Sequence, residues 1–295
     1  MAIAIILSLL AGLMWAAGNV IDKTVVSKYV KNPFLILPLM GVVITTTGLI
    51  TTLLNHYVFS AAIILRLAGL GSLLFISFIF FYFALKNEEV SRVIPFLSLS
   101  PAFMVLLEWL VFGTKLTAFQ YVGIAVIVSG ALFLTYRPST ERIHPKGIIY
   151  ALLSALTWAI AFVFLARTYA EYGFWKPWGW TLLFLGLYCS LTFFFVRKEL
   201  IEAIRNTQRK VVYAVFASET IHTIADAIMF YAASIWVASL TSAVASDQYI
   251  MIFLFSILVT WKRPQWFKEV ITPKIIMQKT ISIILIIAGI FLISI

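Results

Sequence analysis

Ten apolar runs of about twenty residues leave this chain very few ways to fold. A helix of roughly 20 apolar residues spans the ~30 Å hydrocarbon core of a bilayer. Inside lipid every backbone polar group needs an internal partner, which leaves helices or closed barrels. The runs are too long for barrel strands. They lie roughly at 2–21, 33–54, 61–85, 91–112, 118–136, 147–168, 177–196, 211–233, 237–261 and 278–295. The expected fold is an all-α integral membrane protein of ten transmembrane helices. Composition agrees: 62% of the 295 residues are hydrophobic and 12% charged, too apolar for a soluble domain. The first run lacks a basic leader and a small-residue cleavage site, so it reads as a span and not a signal peptide. The single cysteine, Cys189, excludes an internal disulfide and argues against a metal cluster. The net charge of +10 falls in short loops. There it sets orientation and meets anionic headgroups rather than nucleic acid.

The chain repeats itself. Leu9-Leu10-Ala11-Gly12-Leu13-Met14-Trp15-Ala16-Ala17-Gly18-Asn19-Val20 aligns with Leu152-Leu153-Ser154-Ala155-Leu156-Thr157-Trp158-Ala159-Ile160-Ala161-Phe162-Val163, identical at six of twelve positions. Phe81-Tyr82 ends span three as Phe230-Tyr231 ends span eight, and Gly130 in span five has Gly289 in span ten. The division is therefore 1–136, a first five-helix repeat; 137–146, a polar linker with two prolines; and 147–295, a second repeat. An odd number of crossings per repeat inverts one half relative to the other. Inverted repeats are a transporter signature, with the site near the midplane between the halves. The stretch 262–279 mixes lysines with Trp266, Phe267, Val270 and Ile271. It fits either an interfacial amphipathic segment or a loop with apolar anchors.

Span eight, VVYAVFASETIHTIADAIMFYAA at 211–233, carries Glu219, His222 and Asp226. At ~100° per residue the three share one helix face. A charge near the bilayer centre costs at least ~2.5–3.5 kcal/mol, so that face must meet protein or a wet cavity. A polar network locking the helix to its neighbours satisfies this, and so does a substrate or proton site. In the second case two carboxylates on one low-dielectric face disfavour simultaneous ionisation. The imidazole between them can share a proton with either.

In two places the chain resembles the drug/metabolite transporter superfamily in its ten-helix, EamA-type form. One is the tryptophan-bearing first helix of each half. The other runs from Pro101 through Gly113-Thr114, Gln120 and Gly123 to Gly130, where the family has a proline, Gly-Glu, a glutamine and two glycines seven apart. Thr114 stands in place of the family's glutamate. In the second half Gln248 replaces the proline and Thr260-Trp261 replaces Gly-Glu. The resemblance implies a secondary transporter whose cavity is lined by the first, third and fourth helices of each half.

Most embedded polar residues fall on those helices. Span one has Trp15 and Asn19, span three Ser72 and Ser77, and span four Glu108. Span six has Thr157 and Trp158, and span nine Ser246, Asp247 and Gln248. Asp247 lies among small residues that let backbones approach or leave room for a ligand; pairing with His222 or a hydroxyl is the structural reading. Glu108, nearer a span end, can also reach an interface or Lys115. Trp15 and Trp158 serve equally as walls for an organic cation or as packing anchors. Pro95 and Pro101 interrupt the ladder of span four, which suits a gate or a static bend.

No HExxH, CxxC, GxSxG or Walker motif is present, so hydrolytic and ATP chemistry lack their groups. No cofactor and no enzyme activity are expected. The expected partners are a small-molecule substrate and membrane lipid. The oligomeric state is left open, and a monomer is compatible with the arrangement. Eighteen of the 22 Lys and Arg residues follow odd-numbered spans, which puts both termini outside by the positive-inside rule; the resemblance implies both inside. The leading expectation is a cell-membrane exporter of a small polar or cationic metabolite, proton-coupled or gradient-driven. The alternative is a lipid flippase or scramblase using the same groove.

Overall fold

The computed structural model describes residues 1–29, 32–87, 90–136, 145–206, 209–262 and 273–295. Most of the linker, at 137–144, and of the lysine-rich stretch, at 263–272, lies outside these residues. Among the described residues there are helices and no strands. The first half holds α1 (Ala2–Tyr29), α2 (Ile36–Asn55), α3 (Ala61–Asn87), α4 (Val90–Leu97), α5 (Ser100–Phe112) and α6 (Ala118–Thr135). The second holds α7 (Pro145–Tyr172), α8 (Trp175–Leu191), α9 (Phe193–Asn206), α10 (Arg209–Ile235), α11 (Ala238–Val244), α12 (Asp247–Lys262) and α13 (Pro273–Ser294).

Among the described residues seven helical stretches are long and apolar enough to cross a membrane, and eight if α8 and α9, bent by 68°, count as one. Residues 100–112 and 118–134 form shorter apolar helices. The basic stretch after span seven, expected as loop, is the helix α9. Its apolar residues Phe193, Val196, Leu200 and Ala203 recur at helical spacing, and Leu200 is buried.

Two expected spans are each made of two helices. Span four is α4 and α5, parted at Ser98–Leu99; span nine is α11 and α12, parted at Ala245–Ser246. Pro101 sits in the first turn of α5, where its missing N–H has no helical acceptor to lose. Pro95 lies within α4.

The packing joins one half to the other. The most extensive pairings are α2 with α8, α6 with α13, α1 with α10 and α3 with α7. Exchanging the halves turns the α1–α10 pair into the α7–α3 pair and leaves the other two unchanged. Close approach in lipid depends on small residues, and α2 and α8 supply them seven apart. A Cβ on Gly41 would lie 2.6 Å from the Ser190 nitrogen, and one on Gly179 2.9 Å from that of Thr52. Gly123 of α6 likewise meets the Gly289 carbonyl of α13. These contacts hold the second and fifth helices together backbone to backbone. α2 and α8 lie beside the α1–α10 and α3–α7 pairs, and α6 lies beside α4, α5, α11 and α12.

Candidate functional site

The site grows from one face of α1. Trp15, Asn19 and Asp22 are spaced i, i+4, i+7, so they project in one direction. α10 lies against that face, running the opposite way. The Trp15 indole Nε1 donates to Asp226 Oδ1 at 2.9 Å. About two turns further along α1, Asp22 Oδ2 lies 3.0 Å from His222 Nε2. The Ser218 hydroxyl donates to Asp22 Oδ1 and lies 3.4 Å from the Gly18 carbonyl. Gly18 makes this approach possible: a Cβ there would sit 2.6 Å from His222 Nε2. Glu219 is buried one turn from His222, 5% exposed, and its carbonyl accepts the Thr223 hydroxyl at 2.8 Å.

Asp226 also borders a small enclosed cavity. Its other walls include Phe78, Trp158, Trp178, Thr181 and Phe230. The free space is about 10 Å³, about one water's worth. Trp158 stacks at 6.2 Å with Phe162 and packs against Phe230 and Phe78. Of the two tryptophans of the repeat, Trp15 donates to the Asp226 carboxylate and Trp158 lines the cavity that Asp226 borders. A carboxylate bordering a cavity walled by indoles and two phenyl groups can hold an organic cation through its charge and through ring faces.

The remaining candidates separate. Asp247 opens α12 and is buried, 5% exposed. It faces Gly12 of α1, one turn before Trp15, where a Cβ would collide with its Oδ1 and with the Ala245 carbonyl. That Oδ1 has no hydrogen-bond partner. His222 turns to Asp22, so Asp247 does not pair with it. Gln248 is half-buried beside Asp247, and its backbone N–H reaches the Ala245 carbonyl at 3.2 Å. Asn19 is half-buried on α1 between Trp15 and Asp22. Glu108 stands apart from all of these and binds the start of α11 (Ala238 N–H to Oε1, 2.9 Å).

The residue that sequence reasoning missed is Asp22. It falls one position beyond the expected end of span one and next to Lys23, so it reads as the start of a basic loop. The signal was its i+7 relation to Trp15 on a face already marked by Asn19. Among the described residues no group of three or more His, Cys, Asp or Glu side chains is arranged to hold a metal.

Residues 2–136 match the EamA-like transporter family. An uncharacterized transporter of Archaeoglobus fulgidus is 37% identical over 81 residues, 27% of this chain. The chain spans only 28% of that relative's length. An uncharacterized protein of Methanocaldococcus jannaschii is 28% identical over 141 residues, covering 45% of this chain and 96% of that protein. A crystal structure superimposes with a TM-score of 0.73 over 98% of this chain and 94% of its own, at 16% identity. This last likeness concerns the fold alone.

Proposed function

We propose that this protein, whose first half belongs to the EamA-like transporter family and which is a multi-pass integral protein of the cell membrane, is a secondary active exporter exchanging protons for a small organic cation. The observation that carries the reading is Asp226: a carboxylate inside an aromatic-walled cavity, held by Trp15 and bordered by Trp158. The frame is ten crossings in two inverted five-helix repeats, 1–136 and 147–295. It is supported by the exchanged pairing of α1–α10 with α3–α7 and by interruptions at corresponding places in spans four and nine.

In this reading Asp226 takes the cation and Asp22, His222 and Glu219 handle the proton. A cation entering beside Asp226 favours its ionised form and releases a proton. His222, hydrogen-bonded to Asp22, accepts that proton and passes it toward the basic end of the molecule. The space beside Asp226 is too small for a solute, so the structure fits a closed state between two open ones. Asp247 sits at the seam of α1 and α12, where the halves must part. The loop charges favour the basic ends inside the cell.

The test is transport by purified protein in proteoliposomes. Asp226→Asn is expected to abolish uptake driven by a pH gradient while leaving cation-for-cation exchange partly intact. Wild-type rates in both assays would remove Asp226 from the mechanism. Movement of labelled lipid in place of soluble cations would favour the lipid-handling alternative.

A further inference from the structure

Glu108 has a role that the cation site does not require. It lies late in α5 and is buried, 7% exposed. Both carboxylate oxygens accept backbone N–H groups from the start of α11: Ala238 at 2.9 Å to Oε1 and Ser239 at 3.3 Å to Oε2. α11 has no cap of its own, since Val237 before it makes no side-chain capping bond. The first N–H groups of a helix have no acceptor within it, and in a membrane such groups must be satisfied by neighbouring protein. Here the acceptor is an acidic side chain of the other half.

The position of this contact gives it meaning. Successive spans alternate in direction, so the last third of span one and the last third of span four face opposite ends. Asp22, His222 and Ser218 tie α1 to α10 at one end. Glu108 ties α5 to α11 at the other. The cavity beside Asp226 lies between these two cross-half ties. The device is not repeated: aligning Pro101 with Gln248 puts Phe255 opposite Glu108 in the second half. α11 also leads directly into the break at Ala245–Ser246 and to Asp247 against Gly12. A shift of α11 would therefore reach the seam beside the site.

We propose that Glu108 is the latch that closes the end of the cavity opposite Asp22, and that releasing the Ala238 and Ser239 N–H groups opens that end. The proposal rests on the transporter reading, because only a transporter needs the two ends to open in turn. A single reporter cysteine tests it: Leu74→Cys, on the cavity wall, in a Cys189→Ala background. The full chain is placed in vesicles of known orientation and treated from either side with an impermeant thiol reagent. Glu108→Gln keeps one acceptor and puts an amide donor against the second N–H. Labelling from the α11 side should rise about tenfold, the scale of one charge-assisted hydrogen bond, with labelling from the Asp22 side unchanged. Glu108→Asp, too short to reach both N–H groups, should fall between. Unchanged labelling in both variants overturns the latch. So does a rise from both sides together with a lower melting temperature, which marks general loosening. If Glu108→Gln does not accumulate in the membrane, Glu108→Asp is read alone by the same criteria. Selective opening in a protein that moves no cation would keep the latch and reject the transport reading.

Discussion

Two helix pairs related by exchange of the halves are built from opposite chemistry. α1 and α10 meet through Trp15–Asp226, Asp22–His222 and Ser218–Asp22. α3 and α7 meet through rings and two small hydroxyls. Ser77 and Ser154 each donate to the other's carbonyl, at 3.0 and 2.9 Å, and Phe80 stacks on Tyr150 at 6.1 Å. Aligning Phe81-Tyr82 with Phe230-Tyr231 sets Leu70, Leu73 and Ser77 opposite Glu219, His222 and Asp226. Aligning the tryptophans sets Leu165 opposite Asp22 and Ala161 opposite Gly18. Both pairs solve the same packing problem, so packing does not explain the ionisable groups. Charge in lipid is costly, and a copy of the interface exists that manages without it. The polar pair is thus the one expected to change during function, and the apolar pair the one expected to stay fixed.

Among the α1 residues of the polar pair, the largest effect is expected on removing Asp22. Asp22→Ala takes the carboxylate partner from His222 and leaves the Ser218 hydroxyl only the Gly18 carbonyl, at 3.4 Å. The loss of hydrogen bonds to a charged group, about 1.5–3 kcal/mol each, should lower the transport rate on the order of a hundredfold. Asp22→Asn, which keeps one acceptor, should retain more activity than Asp22→Ala. Rates of Asp22→Ala equal to wild type in liposome flux would make the α1–α10 chemistry incidental.

The sequence made part of this legible and hid the rest, for physical reasons. Run length set the helices, because the hydrocarbon thickness fixes it. Pro101 marked the interruption of span four, since proline advertises its own missing donor. The matching interruption of span nine has no proline or glycine; Ala245 and Ser246 carry no such mark. The shared face of Glu219, His222 and Asp226 follows from helical spacing, but spacing within α10 cannot say that His222 turns to Asp22. Glu108 was equally opaque. Its partners are backbone N–H groups 130 residues away, and a backbone donor has no residue-type signature.

At Gly18 the two pairs differ by a single methyl group. A Cβ at Gly18 would press on the His222 ring, 2.6 Å from Nε2. Ala161, its counterpart, already carries a Cβ at 0% exposure. Gly18→Ala should displace His222 from Asp22 and slow transport about tenfold, with destabilisation of about 1–3 kcal/mol from overpacking. The reverse change in the other pair, Ala161→Gly, should cost about 1 kcal/mol and leave the rate near wild type. The two are distinguished by measuring flux and melting temperature on the same preparations. Equal effects on flux would mean that both pairs contribute alike.

The smallest effect is expected at Ser77, the position opposite Asp226. Its hydroxyl donates to the Ser154 carbonyl at 3.0 Å, while the Ser154 hydroxyl donates to the Ser77 carbonyl at 2.9 Å. Ser77→Ala removes the first bond and keeps the second, because the second uses the backbone of residue 77. The Ser154 carbonyl also accepts the Thr157 hydroxyl at 3.1 Å, so it is not left bare. A hydrogen bond between helices in a membrane averages about 0.6 kcal/mol, and the melting temperature should fall by no more than that implies. Flux should be unchanged. Asp226→Ser would write the first-half residue into the second half and should silence proton-driven transport, whereas Ser77→Ala should not. If Ser77→Ala slows transport as much as Asp226→Ser does, the α3–α7 pair moves during the cycle and the division between a working and a fixed interface is wrong.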